Sequence, residues 1–242
     1  ASGYGALLWN VSGSSNTASG FKALYLNQTS GQHVAMGSRS LYHNTTGVSN
    51  TAIGFESLYE NSGGSALTAC GFRALYNNTT GTQNTAYGSN SMISNSNGSF
   101  NTAYGSGSLY LNVDGSNNTA SGYLVMYSNV SGENNTASGF KALYSCVEGN
   151  NNTATGSLSL YYNTGANNTA TGSDSLYSNT NGEDNVATGH ASLYANLGGS
   201  QNVATGSYAL FSNETGDNNI ASGYESLYSN NSGSNNIGTW VL

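Results

Sequence analysis

The side chains that carry chemistry in most enzymes are few in this chain, and they fall out of step with one another. Its acidic residues are Glu56, Glu60, Asp114, Glu133, Glu148, Asp174, Glu183, Asp184, Glu214, Asp217 and Glu225. A glycosidase holds two carboxylates about 5 to 9.5 Å apart across a scissile bond, and no spacing here brings two or three onto one face. The densest set, Glu183, Asp184 and Asp217, reads as solvated surface, with a weak calcium contact as the alternative. His33, His43 and His190 occupy three different phases of the repeat set out below, so they form neither a row nor a metal pair. The glycines recur at fixed period with no lysine placed behind them as a phosphate-binding loop requires. The expectation is a protein that is not an enzyme and has no cofactor and no resident metal.

Polar groups of another kind are abundant. Charged residues make up 6% of the chain, so Asn, Ser, Thr and Gly supply the polarity. The net charge is −7, with Lys22, Arg39, Arg73 and Lys141 as the only basic residues. Such a surface cannot neutralise a phosphate backbone, which argues against nucleic acid as a partner. An anionic membrane surface is disfavoured for the same reason, and no apolar run reaches the roughly 18 residues needed to span a bilayer. Proline is absent and 18 tyrosines recur at fixed phase, which separates the chain from disordered polar sequences.

These residues are positioned by a tandem repeat. Asn135–Tyr144 reads Asn-Thr-Ala-Ser-Gly-Phe-Lys-Ala-Leu-Tyr, and variants of it recur every 17 residues. With Thr17 as position 1, position 2 is alanine from Ala18 to Ala221, and only the unit starting at Thr153 is one residue short. Position 4 is glycine in each unit from Gly3 to Gly223 and position 14 nearly always, which marks two corners per unit. The two segments between the corners are too short and too glycine-broken for helices, and each is long enough for a short strand. Stacked in register they predict an all-β fold, a parallel β-solenoid of about 14 coils of 17 residues forming one domain over residues 1–242 without separate caps.

The rows assign themselves by chemistry. Position 2 (Ala) and position 8 (Leu24, Leu41, Leu58 and onward, with Met92 and Met126) are expected inside, each Leu contributing about 1.5–3 kcal/mol on burial. Position 9 is a tyrosine row beside the leucine row, so a strand there would be apolar on both faces; its outer face is expected to pack on a neighbouring chain or to stack on sugar rings. Position 11 is asparagine in all units but that of Cys146, and position 17 is mostly asparagine; both read as stacked amide rows at turns. The mixed residues of position 6 read as solvent-facing. Threonine-rich steps at Thr153–Thr155 and Thr169–Thr171 offer a hydroxyl array of an ice-binding kind, but Met36, Ile53, Cys70, Tyr87 and Tyr104 interrupt it at position 3.

Cys70 and Cys146 lie about four coils apart, roughly 19 Å at ~4.8 Å per coil, too far for an intrachain disulfide. Sequons are dense. Those at position 11 sit on an asparagine that persists without the sequon, so that row serves the fold; Asn117, Asn134, Asn151 and Asn167, at the variable position 16, are the glycosylation candidates.

The repeat Asn-Thr-Ala-x-Gly-x-x-Ala-Leu followed by an Asn-x-Thr-Gly turn resembles the repeats of trimeric autotransporter adhesin heads and of some phage tail-fibre proteins, over essentially the whole chain. That resemblance implies β-rolls displayed at a cell or virion surface for attachment, often as trimers. The period here is longer than in typical adhesin heads, and no stalk, anchor or chaperone domain accompanies it. The chain opens in mid-unit at Ala1 with no initiator Met, as a processed or truncated piece would. The last half-coil becomes apolar at Trp240, Val241 and Leu242. The expectation is an extracellular structural element whose copies stack head to tail through Ala1 and Trp240–Leu242, with the tyrosine row free for lateral contacts; the alternative is a module that binds glycans or a host surface.

Overall fold

In the computed structural model, which describes residues 1–239, the chain is a parallel β-solenoid of about thirteen turns with a 17-residue period and no helix. Trp240, Val241 and Leu242 lie outside the described residues. The chain divides into two compact units: Ala1–Ala120 with Asn129–Ser131, and Ser121–Ser128 with Gly132–Leu242. The first unit holds β1 (Thr17–Ser19), β2 (Val34–Met36), β3 (Thr51–Ile53), β4 (Thr68–Cys70), β5 (Thr85–Tyr87) and β6 (Thr102–Tyr104). β7 (Thr119–Ser121) falls at the division. The second unit holds β8 (Thr136–Ser138), β9 (Thr153–Thr155), β10 (Thr169–Thr171), β11 (Val186–Thr188), β12 (Val203–Thr205), β13 (Ile220–Ser222) and β14 (Ile237–Thr239).

Inside each unit successive strands pair in parallel and in perfect phase, as in Ala52 beside Ala69 and Ala187 beside Ala204. The short repeat keeps this register: Ala154 pairs with Ala170 across 16 residues instead of 17. The alanine methyls point inward and are buried, while positions 1 and 3 on either side face outward.

The second expected strand is not a strand. Positions 6 and 8 adopt left-handed conformations, with φ of 51° at Lys22 and 52° at Leu24, and every position-8 residue from Leu7 to Leu227 lies between 48° and 54°. The curled backbone still links coils: Leu24 N–H donates to Ser40 O at 2.9 Å, and Leu26 N–H to Tyr42 O at 3.1 Å, both toward the next coil. Lys22 N–H turns back to Tyr4 O of the previous coil at 2.8 Å. Left-handed backbone costs roughly 1–2 kcal/mol per residue, so it persists only because the neighbouring coils fix it.

That geometry explains the composition of the row. A second heavy atom on Cβ makes φ above zero a severe outlier, and no Val, Ile or Thr occurs at position 8 in the whole chain. Leucine and methionine fill the core while branching further out.

The core is these leucines, the alanines of position 2 and a third row at position 7, where Ala23, Ser40, Ser57, Ala74 and their equivalents are buried. The serines there turn their hydroxyls onto the position-4 carbonyl, Ser40 Oγ to Gly37 O at 3.0 Å. The two glycine corners differ in cause. Gly139 combines φ of 133° with a Cβ site only 2.5 Å from Gly156 O, whereas Gly98 has ordinary φ but a Cβ site 2.3 Å from Gly115 O. Both rows are glycine because the next coil passes too close for a methyl.

Leu143, fully buried in this row, separates the two effects. Leu-to-Ile exchanges usually cost less than about 1.5 kcal/mol; Leu143→Ile should cost more than that and approach the ~2–5 kcal/mol expected for Leu143→Ala. Denaturant unfolding of the two variants beside the parent protein measures this, and a nearly neutral Leu143→Ile would contradict the backbone account.

Candidate functional site

The described residues enclose no pocket, so what the fold positions are side-chain rows, two of them buried. In the first, at position 11, each asparagine donates through Nδ2 both to the Oδ1 of the previous coil and to its own position-14 carbonyl. Asn95 is representative, at 2.8 Å from Asn78 Oδ1 and 3.0 Å from Gly98 O. In the second, at position 17, the amide works forward: Asn84 Nδ2 donates to Gly98 O at 2.7 Å, and Asn84 Oδ1 accepts Asn101 N–H at 2.8 Å. The Gly98 carbonyl therefore receives one amide from its own coil and one from the coil before. The sequence marked both rows but not this shared acceptor, which joins positions 11, 14 and 17 into one network.

Three coils break the network with different chemistry; in one of them the buried Leu67 stands at position 17 with no amide to offer. Ser30 and His33 replace the glycine of position 14 and the asparagine of position 17 together. His33 Nδ1 accepts Asn50 N–H at 3.2 Å, as an asparagine oxygen would, while Nε2 lies 3.3 Å from both Ser30 Oγ and Asn44 Nδ2. Burial pushes this imidazole down from 6.5 to about 4. Cys146 takes the place of an asparagine at position 11. Its sulfur sits 4.0 Å from Asn163 Nδ2, and burial pushes the thiol up to about 11, which keeps it protonated and inert. Cys70 and Cys146 are both free thiols.

The outward rows are tighter than the sequence implied. Position-9 rings stack face to face, Tyr25–Tyr42–Tyr59–Tyr76 in the first unit and Tyr127 through Tyr228 in the second, with Phe211 in line; centroids are 5.1 Å apart for Tyr25–Tyr42 and 5.0 Å for Tyr177–Tyr194. Each ring covers its neighbour's face, so edges and hydroxyls meet solvent. Sugar stacking needs an open face, and the tyrosine row does not present one along its length. Burial, with the adjacent phenols adding to it, raises the pKa of Tyr161 and Tyr177.

At position 6, expected in solvent, Lys22, Arg73 and Lys141 lie between this stack and the position-5 aromatics, while Glu225 is exposed. Lys141 Nζ lies 5.4 Å from the Phe140 centroid and 5.3 Å from that of Tyr144. Glu56 is buried between two arginines, with Arg39 Nη1 at 3.1 Å and Arg73 Nε at 2.9 Å. Left-handed backbone turns these side chains along the surface rather than away from it.

The remaining sequence candidates separate. Asn117, Asn134, Asn151 and Asn167 are all exposed, with φ of 58–61°, a conformation asparagine tolerates better than most residues. By contrast Asn27, Asn44, Asn78, Asn129 and Asn213 are fully buried. Asp217 accepts the Ser200 N–H at 2.8 Å and so braces a corner, and among the described residues no three His, Cys, Asp or Glu gather as metal ligands do. His43 lies 4.0 Å from Glu60, and His190 4.0 Å from Asp174. No helix of the described residues is long and apolar enough to cross a membrane. No protein-family model, curated protein or solved structure matches the chain.

His33 and Cys146 make opposite tests. Because the folded state holds His33 neutral, its contribution is complete above about pH 6.5 and is lost as pH falls toward 4. Melting temperature should drop across that window, and His33→Asn should flatten the drop; an unchanged profile would refute the assignment. Cys146→Asn should instead stabilise, by about 0.5–1.5 kcal/mol, since it gives Asn163 an amide acceptor. Denaturant midpoints decide it, and a destabilised variant would show the sulfur to be the better fit.

Proposed function

We propose that the chain is a structural repeat protein of an extracellular assembly, at a cell or virion surface, acting through contacts with further copies of itself. The observation that carries this reading is the double asparagine ladder. Apart from the coils of Ser30 and His33, of Leu67 and of Cys146, each coil presents the next with the same strand N–H and C=O groups, the same amides and the same glycine carbonyl, so a coil of a second copy offers matching groups. Contact of that kind is heterologous and does not close, which gives growth along the solenoid axis.

Three further features support it. The inward positions are committed to packing and to ladders, the surface is almost free of charge, and the Asn117, Asn134, Asn151 and Asn167 sequons stand exposed where secreted proteins carry glycans. Likeness to adhesin-head and tail-fibre repeats favours a surface location. It also keeps a second reading, a glycan- or host-binding module working as a trimer. The exposed hydroxyl row at position 3 of the second unit, Ser138, Thr155, Thr171, Thr188, Thr205 and Ser222, gives that reading its polar surface.

Electron microscopy of the purified chain should show unbranched filaments, and a glycan array should show no saturable ligand. Discrete trimers that bind a defined glycan would overturn the structural reading in favour of the second.

A further inference from the structure

The position-3 face changes character between the two units. In the second unit it carries the hydroxyl row just described. In the first unit five consecutive coils present Met36, Ile53, Cys70, Tyr87 and Tyr104 there. Met36, Ile53, Tyr87 and Tyr104 are each 40–47% exposed, and Tyr87 stacks on Tyr104 at 5.2 Å. Around the glycine corner Phe55 and Phe72, also stacked and exposed, extend the strip. Small hydroxyl residues occupy position 3 elsewhere without disturbing the strand, so the fold does not require apolar residues at that position. A contiguous exposed apolar strip of this kind marks an interaction surface.

We infer that this strip binds the same strip of a second copy of the chain, antiparallel, about a two-fold axis at the level of Cys70. The first reason is pitch. Side chains repeat along the strip at the inter-strand spacing of about 4.8 Å, and a second copy matches that spacing over all five coils by construction. The second is taper. The strip runs from aliphatic Met36 to aromatic Tyr104, and an axis along the strand direction, lying between the two faces, sets Tyr104 against Met36 and Tyr87 against Ile53. Reversal thus evens the gap between the faces, whereas parallel apposition crowds aromatic against aromatic and leaves voids at the other end. The third is charge. No ionisable side chain other than the tyrosines and Cys70 occupies positions 1, 3 or 5 in these coils, so like faces meet without repulsion.

Area is sufficient. Four aromatic rings of about 200 Å² each, two-fifths or more exposed, together with Met36 and Ile53 supply on the order of 500 Å² per copy, or about 1,000 Å² in total, the lower bound of a specific interface. The contact is isologous. It is lateral, independent of stacking along the solenoid axis, and distinct from the tyrosine row of position 9.

Sedimentation of the full chain should give a dimer, or paired rather than single strands where filaments form. Ile53→Lys and Tyr87→Lys should return it to monomers or single strands, while Ser222→Lys, on the same face of the second unit, should leave it unchanged. Cys70 is the register probe. Diamide should join two Cys70 sulfurs into one interchain disulfide, the two protons and two electrons passing to its N=N bond. The doubled band on a non-reducing gel should vanish in Cys70→Ser and survive in Cys146→Ser. A chain that stays single at all concentrations, a trimer, a pair that survives Ile53→Lys, or a pair in which Cys70 does not cross-link would each overturn the proposal. Filaments that remain single-stranded would refute this pairing and leave axial stacking standing.

Discussion

Each coil of this solenoid must hand its buried polar groups to the next at a fixed spacing, and the rest of the structure follows from that. A 17-residue turn is too small to hide an apolar core thick enough to stand alone, so amides are drawn inside with the leucines. An unpaired buried amide costs about 1–3 kcal/mol, and a paired one returns about 0.5–1.5. Pairing comes from the position-14 carbonyl, which takes one amide from its own coil and one from the coil before, and from the asparagine oxygens of the adjacent coil. The glycine at that carbonyl follows from the close approach, since a Cβ at Gly98 would sit 2.3 Å from Gly115 O. The left-handed leucines follow as well, because only a curled segment returns the chain to the next strand while keeping N–H groups aimed at the neighbouring coil.

The constraint divides the residues into two populations. Inward positions answer to the adjacent coil, and an exchange there either mimics the lost group or, as at Leu67, gives up the ladder contact for apolar packing. His33 does so with a ring nitrogen that accepts the Asn50 N–H; Cys146 does so poorly, with a sulfur at 4.0 Å from its donor. Outward positions answer to whatever the protein meets. Their variation is therefore information about partners, and position 3 changes from aliphatic and aromatic to hydroxyl residues along the chain.

The repeat made the inside legible. A period, an invariant alanine, a leucine row and two asparagine rows sufficed to place the strand, the core and the ladders, because identical residues at identical phase must meet their copies. Conformation within the unit was less accessible. Ala-Leu-Tyr carries the composition of a strand, and nothing local to Leu24 announces φ of 52°; the one signal was the absence of β-branched residues from position 8. Position 6 misled for a related reason. A mixture of Lys, Arg, Glu and Asp suggests water, yet Glu56 is buried between two arginines supplied by the coils above and below. Composition at one position does not reveal pairing along the stack. The tyrosine row was visible as a row, but its use was not, since whether rings offer faces or edges depends on a tilt that sequence does not encode.

The short repeat between Thr153 and Thr169 carries the last consequence. The missing residue is taken from the corner after Asn163, whose amide reaches Gly165 O at 2.8 Å over two residues instead of three. Past that corner both ladders continue, with Asn179 Nδ2 at 2.6 Å from Asn163 Oδ1 and Asn168 N–H at 2.9 Å from Asn152 Oδ1, and the break at Cys146 on the other side of Asn163 belongs to the sulfur. Residue number at that corner is thus free, whereas the sequence of donors and acceptors around the turn is not. Inheritance acts on such a molecule in whole turns. Duplication or loss of one 51-nucleotide block leaves every remaining turn with a legitimate neighbour, so its dimension can drift while its chemistry stays constant, and a corner loop can lengthen into a new surface feature without the interior registering the change.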